Sequence, residues 1–286
     1  MKIKHSIQKN FKINYSGRSS DYISPNFIFG CELGCKQSYC YVSRKNLKYV
    51  YIFKNYIEIL DSIQKHYLSL PFKIPNQTGS VYSYDIGCDS DIAAYAGILN
   101  LQDILKFFID NKILSTFATK CVNNNLLKYK VNNSYNRIRF SLMPQNMSDK
   151  LEPKTSKIID RISAIDNFIN AGWEVHVNFS PIVVYRDWLD DYKKLFELID
   201  KQVKSKILLK SENIFLTHNE KLHERNINNG FEYEHFLWVP KLQETKQSSY
   251  GSENIRYNHN YKSIWVSEFL NLQKQIIPYV ENRYIF

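Results

Sequence analysis

The sequence predicts an α/β protein: a partial (β/α)6 barrel followed by a C-terminal hairpin and helix extension. Two observations carry that expectation. From residue 26 to about residue 215, strand-like stretches alternate with helical stripes, the signature of β-α units around a parallel sheet. Thiols and polar residues then follow the strand-like stretches directly, where a parallel barrel gathers its reactive groups.

The elements follow in order. An apolar run over 26–29 leads as a strand end into a loop punctuated by Gly30 and Gly34. A helix is expected near 55–68, a strand over 80–86 with Cys88 after it, and a helix near 99–111. Strands over 114–119 and 137–142 come next, with Lys120 following the first and Ser141 at the end of the second. Ile158, Ile162, Ile165 and Ile169 step along one helix face, which Gly172 terminates. Trp173, Val175, Val177 and Phe179 then alternate with Glu174, His176 and Asn178, as in a strand, and Pro181 lies close to its end. Leu189, Tyr192, Leu195, Phe196 and Ile199 form the buried face of another helix, with Asp187 positioned to cap it. A strand over 206–216 completes about six β-α units.

Residues 241–260, rich in Lys, Gln, Ser and Asn, read as an exposed loop or hairpin. An amphipathic helix over 263–279 and the tail Tyr284-Ile285-Phe286 are expected to dock back on the body. The chain thus divides into a short basic N-terminal segment (1–23), a barrel core (24–218) and an extension with the hairpin (219–286).

With 286 residues, 44% hydrophobic and 23% charged, the chain can bury a full core, which excludes a disordered protein. No stretch approaches the ~18–20 apolar residues that span a bilayer, and residues 1–12 lack a signal-type apolar segment. The expectation is a cytoplasmic protein with no membrane partner. Five cysteines, an odd count, then read as thiols or ligands rather than disulfides. The net charge of +10 invites a polyanion such as nucleic acid; the competing explanation is a low-GC genome, which also produces heavy use of Lys, Asn, Ile and Tyr.

Cys31, Cys35 and Cys40 fall within ten residues of each other. Three thiolates are one ligand short of a closed tetrahedral site, so the expected occupant is an iron-sulfur cluster with one iron open. Spacing alone also allows zinc or a chance group of thiols. Zinc would need a fourth ligand, and His5 and His66, the nearest histidines, are not at a zinc-finger spacing.

These residues resemble the spore photoproduct lyases of the radical S-adenosylmethionine superfamily. Tyr39-Cys40-Tyr41 is similar to the family's tyrosine-flanked third cysteine, and Cys88-Asp89-Ser90-Asp91 to its Cys-x-Ser-Asp segment after a strand. Arg139-Phe140-Ser141-Leu142, Glu152-Pro153-x-Thr155, Arg161, Ala171-Gly172, Pro181-Ile182 and Trp188-x3-Tyr192 match in order and spacing, as do Thr217-His218 and Ile255-Arg256-Tyr257. The resemblance covers roughly residues 24–286. One departure stands out: four residues separate Cys35 from Cys40, where the family has two. The chain also starts shortly before the cysteine loop, which predicts that an N-terminal extension of the family is missing.

The resemblance implies a radical-S-adenosylmethionine-type barrel. Cys31, Cys35 and Cys40 would ligate three irons of a 4Fe-4S cluster, and S-adenosylmethionine would chelate the fourth. Reductive cleavage of the sulfonium would generate a radical that takes one hydrogen from the thymine dimer called spore photoproduct. Cys88 would return a hydrogen atom to the fragmented dimer, and Tyr41 and Tyr39 would relay the thiyl radical back. Ser90, Asp91, Lys120 and Ser141 would hold S-adenosylmethionine. Arg256 and Tyr257 would contact damaged DNA, Arg256 at phosphate and Tyr257 as a wedge beside an unstacked base, with Lys241 and Lys246 as further phosphate contacts. An electron donor such as flavodoxin or ferredoxin would be a partner.

Ordinary readings stand beside these. Free cysteines such as Cys88 and Cys121 are often packing residues, the flanking tyrosines could simply pack, and polar residues at strand ends are often caps. Two other functions fit the residues: a radical S-adenosylmethionine enzyme acting on another nucleic-acid substrate, and a nucleic-acid-binding protein whose cysteines hold a structural metal.

Overall fold

The computed structural model describes residues 2–33, 35, 38–40, 48–247 and 253–286; the expectations for Gly34 and Tyr41 lie outside the described residues. In chain order come β1 (Lys2–Ser6), β2 (Asn14–Tyr15), β3 (Tyr22–Ile23), β4 (Ile28–Phe29), β5 (Tyr49–Phe53), α1 (Tyr56–Leu68), β6 (Ser83–Asp85), a 3-10 helix (Ile92–Ile98), α2 (Leu101–Asp110), β7 (Leu114–Thr119) and β8 (Asn136–Leu142). They continue with α3 (Gln145–Leu151), α4 (Ile158–Asn170), β9 (Glu174–Ile182), α5 (Trp188–Gln202), β10 (Lys210–Phe215), β11 (Thr217–His218), α6 (Glu220–Asn228), β12 (Gln243–Gln247), β13 (Glu253–Tyr257), α7 (His259–Ile276) and β14 (Glu281–Ile285).

One eight-stranded sheet, in the order β14-β10-β9-β8-β7-β6-β3-β2, curls into a half-barrel. Its neighbours from β3 to β14 pair in parallel, and β2 adds an antiparallel edge. Two three-stranded sheets flank it, β1-β5-β4 and β11-β13-β12. Among the described residues no single helix is long and apolar enough to cross a membrane.

Strand alternation sorts the side chains onto two faces. Ile138, Phe140 and Leu142 of β8 and Val175, Val177 and Phe179 of β9 are buried toward the helices. Phe140 meets Phe168 of α4 edge-on at 5.2 Å, and Phe179 meets Phe196 of α5 at 5.3 Å and Phe269 of α7 at 5.9 Å. The opposite face carries charge. Arg139 Nη2 reaches Asp85 at 2.5 Å and its Nη1 reaches Glu212 at 3.2 Å. Arg137 forks onto Glu174 at 2.8 and 3.2 Å, and Arg283, arriving on β14, donates to Glu212 at 2.9 Å. Pairing is what makes such buried charges tolerable.

The expected elements form, with differences: the last helix runs His259–Ile276 rather than 263–279, and β3, within the segment 1–23, is the first parallel strand of the sheet. The run over 26–29 does not extend the barrel sheet: Ser24 N–H makes a last bond to Asp85 O at 3.0 Å, Pro25 has no N–H to offer, and β4 turns away to pair antiparallel with β5. Asp187 does not cap α5 with its side chain; it sits in the left-handed region (φ 64°), where its carboxylate lies 3.8 Å from Arg186. The first part of 206–216 is a 3-10 turn, Lys206–Leu208, before β10 begins. Gly172 ends α4 as expected, at φ +94°, where an added Cβ would press within 3.4 Å of Val131 O.

Candidate active site

The cysteine loop leaves β4 and is tied to the barrel at several points. Ser90 Oγ donates to Gly30 O at 2.7 Å, Gly30 N–H donates to Asp89 O at 3.0 Å, and Gly30 has a φ of 95°. Ser38 Oγ donates to Leu151 O at 2.7 Å at the end of α3, and Cys40 N–H to Cys35 O at 3.2 Å. From α6, Asn226 Nδ2 donates to Ser38 O at 2.9 Å.

Cys31 and Cys35 are buried and Cys40 is half-buried. The Cys35 and Cys40 thiols share a hydrogen bond, which with burial holds Cys35 well above the ordinary thiol range. Burial and the Asp91 charge push Cys31 up to about 11. Among the described residues no three His, Cys, Asp or Glu side chains gather around a single ion position. Cys35 and Cys40 lie within bonding reach of each other, and three thiols from one loop are the donor type an iron-sulfur cluster takes, each iron with its own sulfur.

Four strand-end residues were expected to converge here. Asp91, the N-cap of the 3-10 helix that follows β6, accepts from Thr119 Oγ1 at 2.8 Å, Lys120 N–H at 2.7 Å and Ala94 N–H at 3.2 Å. Its carboxylate therefore binds β7 to the 3-10 helix, and burial raises its pKa. Ser90 is engaged with Gly30. Lys120 projects beside the loop: its ammonium is 3.8 Å from Glu152 and 5.8 Å from the centre of the Tyr39 ring. Burial works against that charge, but Glu152, Cys35 and Cys40 outweigh it and the Lys120 pKa is raised. Ser141 is buried on the inner face of β8, its carbonyl taking a 2.7 Å bond from Arg161.

Cys88 has an accessible side chain, yet protein surrounds it closely enough that burial, then Asp85 and Asp89, push its thiol well above the ordinary range against the opposing pull of Arg139. Its neighbours Asp85 and Arg139 belong to the inner face of the sheet, so Cys88 stands at the rim of a floor made by the Asp85–Arg139–Glu212 ion pairs.

Tyr39 turns its hydroxyl to the Glu152 carboxylate, and burial followed by the Glu152 charge raises its pKa. Glu152 also takes Arg161 Nη1 at 3.0 Å, and both side chains of that pair are fully buried. In the sequence Glu152 and Arg161 are only matching positions; in the fold they link Tyr39, Lys120 and the Ser141 carbonyl. Asn226, which holds the loop from α6, had no signal beyond its polarity. Cys121 lies half-buried with its thiol pushed up to about 11, chiefly by burial.

The hairpin β12–β13 joins β11. Arg256 is partly exposed and paired with Glu244 at 3.2 Å. Tyr257 differs from the expectation of an exposed wedge: it is 1% exposed, accepts Val184 N–H at 2.8 Å on its hydroxyl and packs edge-on against Trp265 at 5.2 Å. Its ring anchors the hairpin to the barrel.

A family model described as spore photoproduct lyase matches residues 2–285. The chain is 29% identical to the spore photoproduct lyase of Bacillus subtilis over 68% of its own length and 55% of the relative's, and 26% identical to that of Clostridium acetobutylicum over 66% and 56%. It thus spans a little over half the length of these curated relatives. Its fold is similar to that of a spore photoproduct lyase complexed with dinucleoside spore photoproduct (TM-score 0.86, 20% identity, 99% of this chain and 82% of the other). A substituted spore photoproduct lyase with bound AdoMet and dinucleoside spore photoproduct is equally similar (TM-score 0.86, 19% identity, the same coverage).

Proposed function

The chain belongs to the spore photoproduct lyase family, and from that premise we propose that it is a radical S-adenosylmethionine DNA-repair lyase returning a spore-photoproduct thymine dimer to two thymines. One observation carries the reading: an accessible Cys88 thiol lies close enough to Cys40 of the three-cysteine loop, and to Asp85 and Arg139 of the inner sheet face, for all three to act on it. A substituted lyase of similar fold, solved with AdoMet and the dinucleoside lesion bound, supports the reading.

Cys31, Cys35 and Cys40 would hold the cluster, with Lys120 facing the carboxylate of S-adenosylmethionine and Ser90 and Ser141 lining its polar groups. When bound, the pair supplies one-electron cleavage of the sulfonium and a carbon radical able to abstract hydrogen. Asp91 acts at one remove, since its bond to Lys120 N–H fixes where that side chain starts. Cys88 would return the hydrogen atom. That role needs the S–H form, which burial and the two neighbouring carboxylates favour. Tyr39 would take part in the relay from its bond to Glu152, with Tyr41 as its partner. Arg256, Lys241 and Lys246 would meet phosphate, and Tyr257 would hold the hairpin that carries them. Damaged DNA is the proposed substrate, and a flavodoxin or ferredoxin the proposed electron source.

The test is anaerobic turnover of the dinucleoside lesion by the cluster-loaded protein. Wild type should yield the thymine dinucleotide, whereas Cys88→Ala should still form 5′-deoxyadenosine but lose most of that product. Cleavage of S-adenosylmethionine by wild type without any repair would overturn the proposal.

A further inference from the structure

Asn178 lies within β9 with 5% of its surface exposed, and its amide oxygen is buried without a hydrogen-bond partner. Folded proteins rarely leave such an oxygen unmatched, so the position asks for a reason. Val177 and Phe179 on either side face the helices, where Phe179 packs on Phe196. Alternation therefore turns Asn178 to the inner face.

Its neighbours there are known from the register: Ser141 across β8 and Glu212 across β10, with the Arg139–His176 pair one step below. Arg139 is committed to Asp85, Thr116 and Glu212, and Glu212 to Arg139, Arg283 and Ser19. Of these side chains Asn178 and the Ser141 hydroxyl keep free capacity, and Ser141 is the one proposed above for S-adenosylmethionine, which leaves the buried Asn178 oxygen. It stands on the floor formed by Arg139, the same floor that Cys88 senses, whereas Lys120 belongs to the wall next to Glu152 and the cysteine loop.

A side-chain amide offers an acceptor and a donor side by side. A thymine-type ring offers their complement, an N–H between two carbonyls. We infer that Asn178 reads the base under repair, with Oδ1 accepting the ring N–H and Nδ2 donating to an adjacent ring carbonyl. This rests on the proposed function, because it takes the lesion to be a pyrimidine lying on that floor.

The experiment measures equilibrium binding of the dinucleoside lesion, and separately of S-adenosylhomocysteine, to the cluster-loaded protein. Asn178→Leu and Asn178→Ala should each weaken lesion binding about tenfold, the worth of a lost hydrogen bond in a dry site, and leave S-adenosylhomocysteine unchanged. Methylating the ring nitrogen of the lesion should weaken binding to wild type by a similar factor and make no further difference to either variant. Asn178→Leu should also leave the melting temperature of the ligand-free protein equal or higher, an outcome foreign to a purely structural amide. Weakened S-adenosylhomocysteine binding would assign the amide to the cofactor, and unchanged binding of both would leave it no ligand; either result overturns the inference. Wild type that binds S-adenosylhomocysteine but not the lesion would remove the repair reading and this inference with it, whereas wild type that binds the lesion as well as its variants do removes the inference alone.

Discussion

The side-chain amide of Asn226 donates to the backbone carbonyl of Ser38 at 2.9 Å, so the C-terminal extension grips the cysteine loop from 188 residues away. The grip is itself braced. Asn226 also donates to Glu234 at 2.5 Å, and Glu234 takes His218 Nε2 at 2.8 Å and His223 Nδ1 at 2.9 Å. His223 stacks on Trp238 with ring centres 4.1 Å apart. A loop that must hold three sulfurs at fixed separations benefits from such support.

Asn226→Ala should therefore lower stability by about 1–3 kcal/mol, because Ser38 O and Glu234 each lose a buried donor. Iron retained after anaerobic reconstitution and desalting should fall as well. Urea unfolding and iron analysis check the two effects separately, and unchanged iron would show that the loop holds its shape without Asn226.

Glu152 and Arg161 form an ion pair with both side chains fully buried. Breaking such a pair from one side strands a charge, so Arg161→Met should destabilise by about 3–5 kcal/mol in urea unfolding. Adding Glu152→Gln to that variant should restore a large part of the loss, since the stranded carboxylate disappears.

His176 is held neutral: burial first, then the Arg137 and Arg283 cations, push its pKa down to about 3 against the opposing pull of Glu174. Below about pH 6.5 the unfolded chain binds a proton that the folded state refuses, so stability falls as pH drops from 6.5 toward 3 and is fully present above 6.5. Glu174, whose pKa is lowered by His176 and Arg137 in spite of burial, adds a loss in the same direction only below about pH 4.5. His66 is also lowered by burial. Urea midpoints between pH 7.5 and 5 should thus slope less in His176→Gln than in wild type, and the difference measures His176.

Lys262 lies 4.6 Å above the Phe286 ring, and its pKa is pushed down to about 8 by burial and by Arg256 and Lys246. A phosphate arriving at this hairpin would restore its charge. Affinity for oligonucleotides should then decline as pH rises through about 8, and Lys262→Met should remove that decline. Arg256→Ala should shallow the salt dependence by a slope of about 0.7–0.9, the share of one phosphate contact.

Periodic segments declared themselves in the sequence because burial on one face leaves a repeating mark. The Ile158 to Ile169 stripe and the Trp173 to Phe179 alternation appear as α4 and β9 with their apolar sides against one another. Strand ends were readable for the same reason, and Cys88, Lys120 and Ser141 do lie at or just past the ends of β6, β7 and β8. Short pairings were not: β4 follows β5 because Pro25 interrupts the ladder, a choice no periodicity records. Tyr257 looked like an exposed wedge since a hairpin tyrosine gives no sign of which way it turns, and its contacts come from Val184 and Trp265, far along the chain. Asn178 and Asn226 escaped notice because a single polar residue acquires meaning only from partners the fold brings, or fails to bring, within reach.

The cysteine triad can be interrogated by anaerobic reconstitution, with iron and sulfide analysis and electron paramagnetic resonance of the reduced protein before and after S-adenosylmethionine is added. A four-iron cluster whose spectrum shifts on addition is expected, with 5′-deoxyadenosine as a product. A chain that retains zinc, gives no such signal and leaves the sulfonium intact would contradict it.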